Sequence, residues 1–344
     1  MSRLDELRFI ARIAQRYHVD GHRQSEIARD LGLSQATVSR MLKRAHEEGI
    51  VRISISAPPG TYPDLEREIR GRFGVSEVLV VDCAEDSVGA VMSRIGEAAA
   101  HFLETTIQDG EIIGVSSWSE TILKMIHNVH PMKPGRAKYV IQTLGGIGNP
   151  NVQKHATNIT TRLAQLTGAQ PMILNAPAVA ASREAKLVLL GDSYVRETMD
   201  QFDNITLAIV GIGAVEPSSM LAESGNVFSE GELNQLMERG AVAEIGQRFL
   251  NSDGKPVVTP LTERVIGMGF DQLRAVPRVV ALAGGKRKSA AIPAVLRSGL
   301  VDILITDKFT AQRLIEPTDK AQADQSAAAA QTDVTAVSAD KEKA

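Results

Sequence analysis

The stretch QSEIARDLGLSQATVSRMLKRA, residues 24–45, decides how this chain is read. Counted from Gln24 as the first position of a helix-turn-helix, Ala28 falls fifth, where two helices cross and a large side chain would force them apart. Gly32 falls in the turn, where a left-handed backbone is easiest without a Cβ. Val38 and Met41 fall where the second helix must face the core, and Ser34 falls where an N-cap oxygen is wanted. The outward positions of the second helix are then Gln35, Ala36, Ser39, Arg40 and Lys43. Gln and Arg offer paired hydrogen bonds to base edges, and Ala36 can touch a thymine methyl. The hydroxyls of Ser34, Thr37 and Ser39, with Lys43, can hold phosphates. The same polar residues would be merely solvated in an α-hairpin packed on a neighbour. Small, glycine, cap and core residues falling in register together favour a reader of double-stranded DNA.

Working outward, Leu4, Leu7, Ile10, Ala11 and Ala14 recur three and four apart, which predicts a helix over 3–17. Downstream, EEGIVRISI (47–55) reads as a turn and an alternating strand, the beginning of a wing, and APPG (57–60) stops any regular element. Residues 1–56 hold ten Lys/Arg against seven Asp/Glu, a net of +3, which leaves −6 on the remainder of a chain whose total is −3. The basic excess therefore coincides with the module suspected of meeting phosphates.

At 344 residues two domains are expected. A charged helix from Asp64 to Phe73 is expected to link them. Beyond it come short β-rich runs: SEVLVVD (76–82), EIIGVS (111–116), YVIQTLG (139–145), PMILNAP (171–177), ITLAIVGIG (205–213), VVALAGG (279–285) and VDILITD (301–307). Stretches of helical length separate them, the pattern of a mostly parallel sheet covered on both faces. The expected architecture is an N-terminal winged helix-turn-helix domain (1–56), a linker helix (57–74) and a Rossmann-like α/β domain (75–316). A disordered tail (317–344), poor in large apolar residues, follows.

The lone Cys83 excludes an intramolecular disulfide and a thiolate zinc cluster, and His101, His127, His130 and His155 show no HxH or HExxH spacing. No metal and no cofactor are expected. Acids and arginines within the first dozen residues, and no apolar run of membrane-spanning length, point to neither export nor membrane insertion, hence to the cytoplasm.

Ligand sites in open α/β sheets lie at the carboxyl ends of the strands. GVSSWSET (114–121) places Ser116, Ser117, Ser119 and Thr121 at a strand-to-helix turn, where unpaired N–H groups and the helix dipole favour an anion. QTLGGIGN (142–149) supplies Gln142, Gly145 and Gly146, and GIGA (211–214) supplies Gly211 and Gly213, as turns a ligand can approach; neither is a full GxGxxG fingerprint. AGGKRKSAAI (283–292) delivers Lys286, Arg287 and Lys288 near a helix start, where an anion would relieve the charge. Trp118 either stacks on a sugar face or belongs to the core. Asp307, ahead of KFTAQRL, is read as a helix cap, although an acid there could also be catalytic or bind a metal.

Two separate patches, YHVDGHRQSEIARDLGLSQATVSRMLKRAHEEGIVRISI (17–55) and ALAGGKRKSAAIPAVLRSGLVDILITDKFTAQRLI (281–315), carry a likeness. In this order the chain resembles, over roughly residues 5–316, bacterial regulators of the SorC family, also described as DeoR-like sugar-binding regulators. The resemblance implies an effector domain similar to sugar-phosphate isomerases and deaminases, and a phosphorylated sugar as effector. It further implies a homodimer or homotetramer, with repression of carbohydrate-catabolism genes relieved by the sugar as the commoner mode. By the same likeness Lys288 is a phosphate or sugar contact, with Ser116, Ser117 and Gln142 as partners. Glu244, in GAVAEIGQRFLNSDG (240–254) and read as lying on a helix face, sits near the ligand. Ser117, Trp118 and Ser119 depart from the glycine with threonine or arginine usual after the first serine, which leaves the sugar open. Two alternatives accompany this reading: an isomerase- or deaminase-like enzyme using Asp307, Glu244 or His155, and a DNA-binding protein whose second domain only oligomerises.

Overall fold

The computed structural model describes residues 3–51 and 58–316. The chain divides into two compact units between Pro58 and Pro59. Residues 52–57, which hold most of the expected wing strand, and the expected tail 317–344 lie outside the described residues.

The first unit packs three helices, α1 (Arg3–His18), α2 (Gln24–Leu31) and α3 (Gln35–Glu47), around one apolar cluster. Ile10, Ile13 and Ala14 come from α1, Ile27 and Ala28 from α2, and Val38, Leu42 and Ala45 from α3. Spacings of three and four put each set on one helical face. The buried side of α1 is rotated relative to the sequence reading: Leu4 is exposed, Leu7 and Ala11 are half-buried, and Ile13 takes the inward place. On α3 the inward row runs through Leu42, with Met41 half-buried at its margin. Gly32 turns the chain at φ 64°, and the Ser34 Oγ accepts from the Thr37 amide at 3.1 Å to cap α3. Arg44 of α3 grips the Glu6 carboxylate of α1, and that hydrogen bond lowers the carboxyl below its ordinary pKa.

The second unit is built on a seven-stranded sheet, all of its pairings parallel, ordered β1-β9-β8-β5-β2-β3-β4. Its strands are β1 (Glu77–Val81), β2 (Glu111–Val115), β3 (Ala137–Gln142), β4 (Gln170–Met172), β5 (Leu207–Gly211), β8 (Arg278–Leu282) and β9 (Ile303–Asp307). Six of them follow apolar runs, because a strand buried on both faces has no polar side to alternate with; β4 is exposed at Gln170 and Pro171 and overlaps the run at 171–177 by two residues only. Central β5 shows this directly: Leu207 and Ile209 enter the core on one face, Ala208 and Val210 the core on the other. Helices α5 (Val88–Thr106), α6 (Glu120–Asn128) and α7 (Pro150–Thr167) cover the first face. The opposite face is covered in part by α4 (Pro63–Phe73), and α4 is thereby not a free linker, since its Ile69 is fully buried in that core.

Two elements were not foreseen. The segment 240–254 is a hairpin, β6 (Ala241–Ile245) and β7 (Arg248–Asn251), so Glu244 lies on a strand and not on a helix. With α10 (Ser219–Glu223) and α11 (Glu230–Glu238) the hairpin forms a small third cluster that also takes in Trp118 and Leu144. At the far end of the chain Asp307 caps the last helix, Lys308–Ile315. Its Oδ1 accepts from the Phe309 and Thr310 amides, both at 3.0 Å, and its Oδ2 from the Thr310 hydroxyl at 2.5 Å. Replacing Asp307 with Ala removes the cap and strands a buried hydroxyl, so it should cost about 2 kcal/mol. A fall in the denaturation midpoint at unchanged slope is the expected result.

Candidate functional site

On α3, Ser34, Gln35, Ala36, Ser39, Arg40 and Lys43 are exposed and Thr37 is half-buried. Two of the hydroxyls are already engaged: Ser34 Oγ and Thr37 Oγ1 lie 2.8 Å apart and Ser34 caps the helix. Arg40 reaches back toward Thr37 Oγ1 at 3.5 Å, and Lys43 lies 3.8 Å from Glu47 on the solvent side. Gln35, Ala36, Ser39 and Arg40 thus form the open stripe of the second helix.

In the second unit the chain runs from β2 outward to β3 and β4, then returns to place β5 on the other side of β2. Such a reversal parts the connecting loops and opens a crevice at the carboxyl ends of the two strands. A cavity of about 190 Å³ lies there. Its wall is formed by the turn after β2 (Ser116, Trp118, Ser119, Glu120, Thr121), the loop after β5 (Gly211–Ser219) and the turn after β8 (Gly284–Lys288). Glu244, Gly246 and Gln247 of the hairpin complete it, with Val88 and Met92 at the start of α5.

Of the residues singled out from sequence, Ser116, Trp118, Ser119, Gly211, Gly213, Glu244 and Lys288 line this cavity. Four others do not. Ser117 is fully buried and donates to the Leu144 carbonyl at 2.8 Å. Gly145 is pressed against Pro177, where a Cβ would come within 2.4 Å of backbone, and Gly146 packs on the Gln142 amide. Gln142 is itself fully buried, with neither amide atom paired among the described residues, and is walled off from the cavity. The serine turn after β2 splits by alternation: Ser117 turns into the protein to hold the next loop, while Ser116 and Ser119 stay on the cavity side. Trp118 is 6% exposed and its Nε1 donates to the Gly145 carbonyl at 3.1 Å, so the indole is core with one edge in the wall. His155 and Asp307 do not line the cavity.

Three basic residues enter the wall, and the structure distinguishes them. Lys286 pairs with Asp86 at 3.6 Å and Arg287 with Glu216 at 3.6 Å. The Lys288 ammonium has no hydrogen bond or ion pair among the described residues. Burial pushes its pKa below the ordinary lysine value; Glu244 and Glu120 oppose this from across the cavity, and Arg287 adds to it. Glu244 is the counterpart. Burial raises its carboxyl above the usual range, against the Gln247 amide that donates to Oε2 at 2.9 Å and against the Lys288 charge. The Glu244 strand pairs its own N–H and C=O with Gly213 at 2.9 and 3.0 Å. A Cβ at Gly213 would lie 2.2 Å from Glu244 Oε1, so only glycine lets the loop come this close.

Gln247 is the residue that sequence reasoning missed. The β6–β7 turn is Gly246-Gln247, with φ of 57° and 60°, the left-handed pair of a type I′ hairpin. Asn or Asp with Gly normally occupies such a turn, and Gln247 is the one non-glycine with positive φ among the described residues. Its side chain is buried, lines the cavity, and leaves Oε1 without a hydrogen-bond partner among the described residues. Backbone strain beside a cavity is a mark of binding sites. No pattern in IGQRF announces it. Gln247→Gly should raise the stability of the ligand-free protein by about 1 kcal/mol through release of this strain; denaturant titration reads the sign.

Comparison with known proteins finds matches to both units of the chain. A family model described as "Putative sugar-binding domain" matches residues 58–316, and one described as "Homeodomain-like domain" matches residues 3–52. The chain belongs to the SorC/DeoR-like family of sugar-binding transcriptional regulators. The erythritol catabolism regulatory protein EryD of Brucella abortus (strain 2308) is 31% identical over 307 residues, covering 88% of this chain and 95% of EryD. The full-length sorbitol operon regulator SorC of Klebsiella pneumoniae superposes with a TM-score of 0.68 at 25% identity, over 91% of this chain and all of that one. The sugar-binding domain of a DeoR regulator from Pseudomonas syringae pv. tomato shares 38% identity, with a TM-score of 0.59, over 74% of this chain and 99% of that domain. Among the described residues, no helix of this family member is long and apolar enough to cross a membrane.

Proposed function

We propose that this family member is a cytoplasmic transcriptional repressor of carbohydrate-catabolism genes. In this reading α3 enters the major groove of operator DNA, and a phosphorylated sugar held in the cavity relieves repression. The observation that carries the effector reading is Lys288: a cation without an ion pair among the described residues, facing a cavity beside the N-terminus of α6. An anion placed there offsets the cost of the buried charge and meets the N–H groups of a helix start. Glu244 and Gln247 line the same space, and the Glu244 carboxylate accepts from sugar hydroxyls. A volume of about 190 Å³ is below the roughly 300–1,000 Å³ of sites for drug-sized ligands, which suits a small sugar phosphate. The reading is of a binding protein: Asp307 is spent as a helix cap and His155 stands outside the cavity.

On the DNA side, Gln35 and Arg40 read bases, Ala36 meets a thymine methyl, and Ser39 and Lys43 hold phosphates. Ser34 and Thr37, engaged with each other at the cap, present the α3 N-terminus to a phosphate. A two-fold operator requires two such helices, so the protein acts as a homodimer or a homotetramer.

Trp118 is the only tryptophan and borders the cavity, so its emission reports the ligand directly. Titration with phosphorylated and unphosphorylated sugars should give a saturable change with phosphorylated ones alone. No response, with an unshifted melting temperature, would remove the sensor reading. Affinity should fall as pH rises, and the sign follows from the two shifts. The lowered pKa of Lys288 means that its charge is lost below the ordinary lysine range; the raised pKa of Glu244 means that its repulsion of the anion disappears as pH falls. Lys288→Met should remove the alkaline limb and Glu244→Gln the acidic one.

For DNA, Arg40→Ala should cost about 1–3 kcal/mol at one base pair of the operator and relax specificity there. Equal weakening on every sequence in an electrophoretic or fluorescence binding assay would make Arg40 a phosphate contact instead.

A further inference from the structure

The turn after β8 lines the cavity on one side and is fastened from outside it on the other. Gly285 donates its N–H to Thr310 Oγ1 at 2.8 Å, and Gly284 lies so close to Asp307 that a Cβ would collide with the carboxylate. Lys286 of the same turn reaches the Asp86 carboxylate at 3.6 Å. That carboxylate is shared, because Arg313 of the last helix donates to both of its oxygens, at 2.8 and 3.4 Å. The two cations are held unequally. The Arg313 side chain is 24% exposed and that of Lys286 75%, so the arginine is the fixed partner of Asp86 and the lysine the loose one.

Asp86 belongs to a short segment, Asp82–Asp86, that leaves the carboxyl end of β1. Its other end meets the start of the second unit. Asp82 Oδ1 accepts from the Tyr62 hydroxyl at 2.6 Å and from the Lys308 ammonium at 2.8 Å. Tyr62 occupies the N-cap position of α4, just beyond the division between Pro58 and Pro59, and its side chain caps nothing there. Within the segment Cys83 Sγ donates to the Glu85 carbonyl at 3.0 Å and keeps it compact. Both acids are thereby tied to the last helix, Asp82 through Lys308 and Asp86 through Arg313. The same helix receives the Arg72 guanidinium of α4 at the Leu314 carbonyl, 3.0 Å away.

We propose that Asp82–Asp86 is a coupling strap between the cavity and the entry of the second unit: an anion in the cavity draws Lys286 from Asp86, and losing that tether loosens the hold of Asp82 on Tyr62 and the first turn of α4. Lys286 has two mutually exclusive partners, the carboxylate and the anion, which makes it the two-state element that such coupling needs. It shares one short helical turn with Lys288, so an anion at Lys288 attracts it as well, and an exposed pair costs little to exchange. Asp86 is then left to Arg313 alone. Arg313 also donates to Thr310 Oγ1 at 3.2 Å, the oxygen that holds Gly285, so the cavity turn and the strap respond together. The inference rests on the proposed effector reading for the presence of an anion and for nothing else.

In the full chain, hydrogen exchange of the Glu66, Arg67 and Glu68 amides reads the far end of the strap, while Trp118 emission reads the cavity; inorganic phosphate serves as the anion. Saturating phosphate should speed exchange at these amides about threefold, a change of the size that one exposed ion pair supports. Lys286→Met releases Asp86 with no anion present and should reproduce that rise by itself. Tyr62→Phe changes no charge and lies outside the cavity wall. Because coupling is reciprocal, it should strengthen phosphate binding about threefold in the Trp118 titration, with the melting transition still cooperative. Phosphate that alters Trp118 emission while the α4 amides exchange as before would overturn the strap and leave the anion site standing. Phosphate without effect on Trp118 or on the melting temperature would remove the anion site, yet faster exchange in Lys286→Met would still support the strap. Unchanged exchange in Lys286→Met, or unchanged phosphate affinity in Tyr62→Phe, overturns it.

Discussion

Everything this protein can do with a small molecule depends on one topological constraint, the reversal of strand order between β2 and β5. Parallel strands need long crossovers, and helices on both faces bury the sheet almost completely. The sheet itself therefore offers a ligand nothing. Only where successive crossovers leave in opposite directions do two loops part, and at that place the start of α6 and the turn after β8 both line the cavity. The apolar alternation of β5 and the glycines at the strand ends are two sides of one requirement. The strands must be dry, and the loops that follow them must come close to each other without side chains in the way.

The cavity is then defined by what the small third cluster lays over it. The β6–β7 hairpin brings Glu244 against Gly213, with reciprocal backbone bonds, and swings Gln247 into the wall through a left-handed turn. Each of these choices is costly alone. A carboxyl taken out of water, an ammonium without an ion pair and a glutamine in a glycine's conformation all lower the stability of the empty protein. They occur within one wall, which is the distribution expected when local stability is given up for recognition.

Much of this was legible in the sequence, and the boundary of what was legible has physical causes. The helix-turn-helix could be read because its register is set by single residues with few substitutes: Ala28 at the crossing, Gly32 in the turn and Ser34 at the cap each behave as counted. Six of the seven sheet strands could be read because burial on both faces removes polar residues from them, whereas β4 is short and exposed and only its last two residues fall in the run read over 171–177. Which side chain of a turn faces inward could not be read. Ser116, Ser117 and Ser119 are chemically alike, and only the loop of Leu144 and Gly145 packing against them turns Ser117 away from the cavity. Gln142 was misplaced for the same reason, since it lies one strand further along the sheet than the crevice. The hairpin was missed because AVAEI and RFLN are short and mixed in pattern, and its turn holds Gly-Gln where a hairpin normally advertises itself with Asn-Gly.

A sensor needs a ligand that distinguishes two states of the protein, because binding both equally shifts nothing. In the proposed reading, the groups around Lys288 supply such a difference. Without an anion, the ammonium and the Glu244 carboxyl are held across a cavity in forms that burial disfavours, and Gln247 leaves an acceptor unused. In the proposed reading, an anion and hydroxyls would relieve the deficits at Lys288 and Glu244 together, and only in the arrangement in which the hairpin, the turn after β8 and the start of α6 converge. Any rearrangement that separates the hairpin from the sheet loses that contribution entirely. In the proposed reading, the hairpin that carries Glu244 and Gln247 is the element through which a ligand would act.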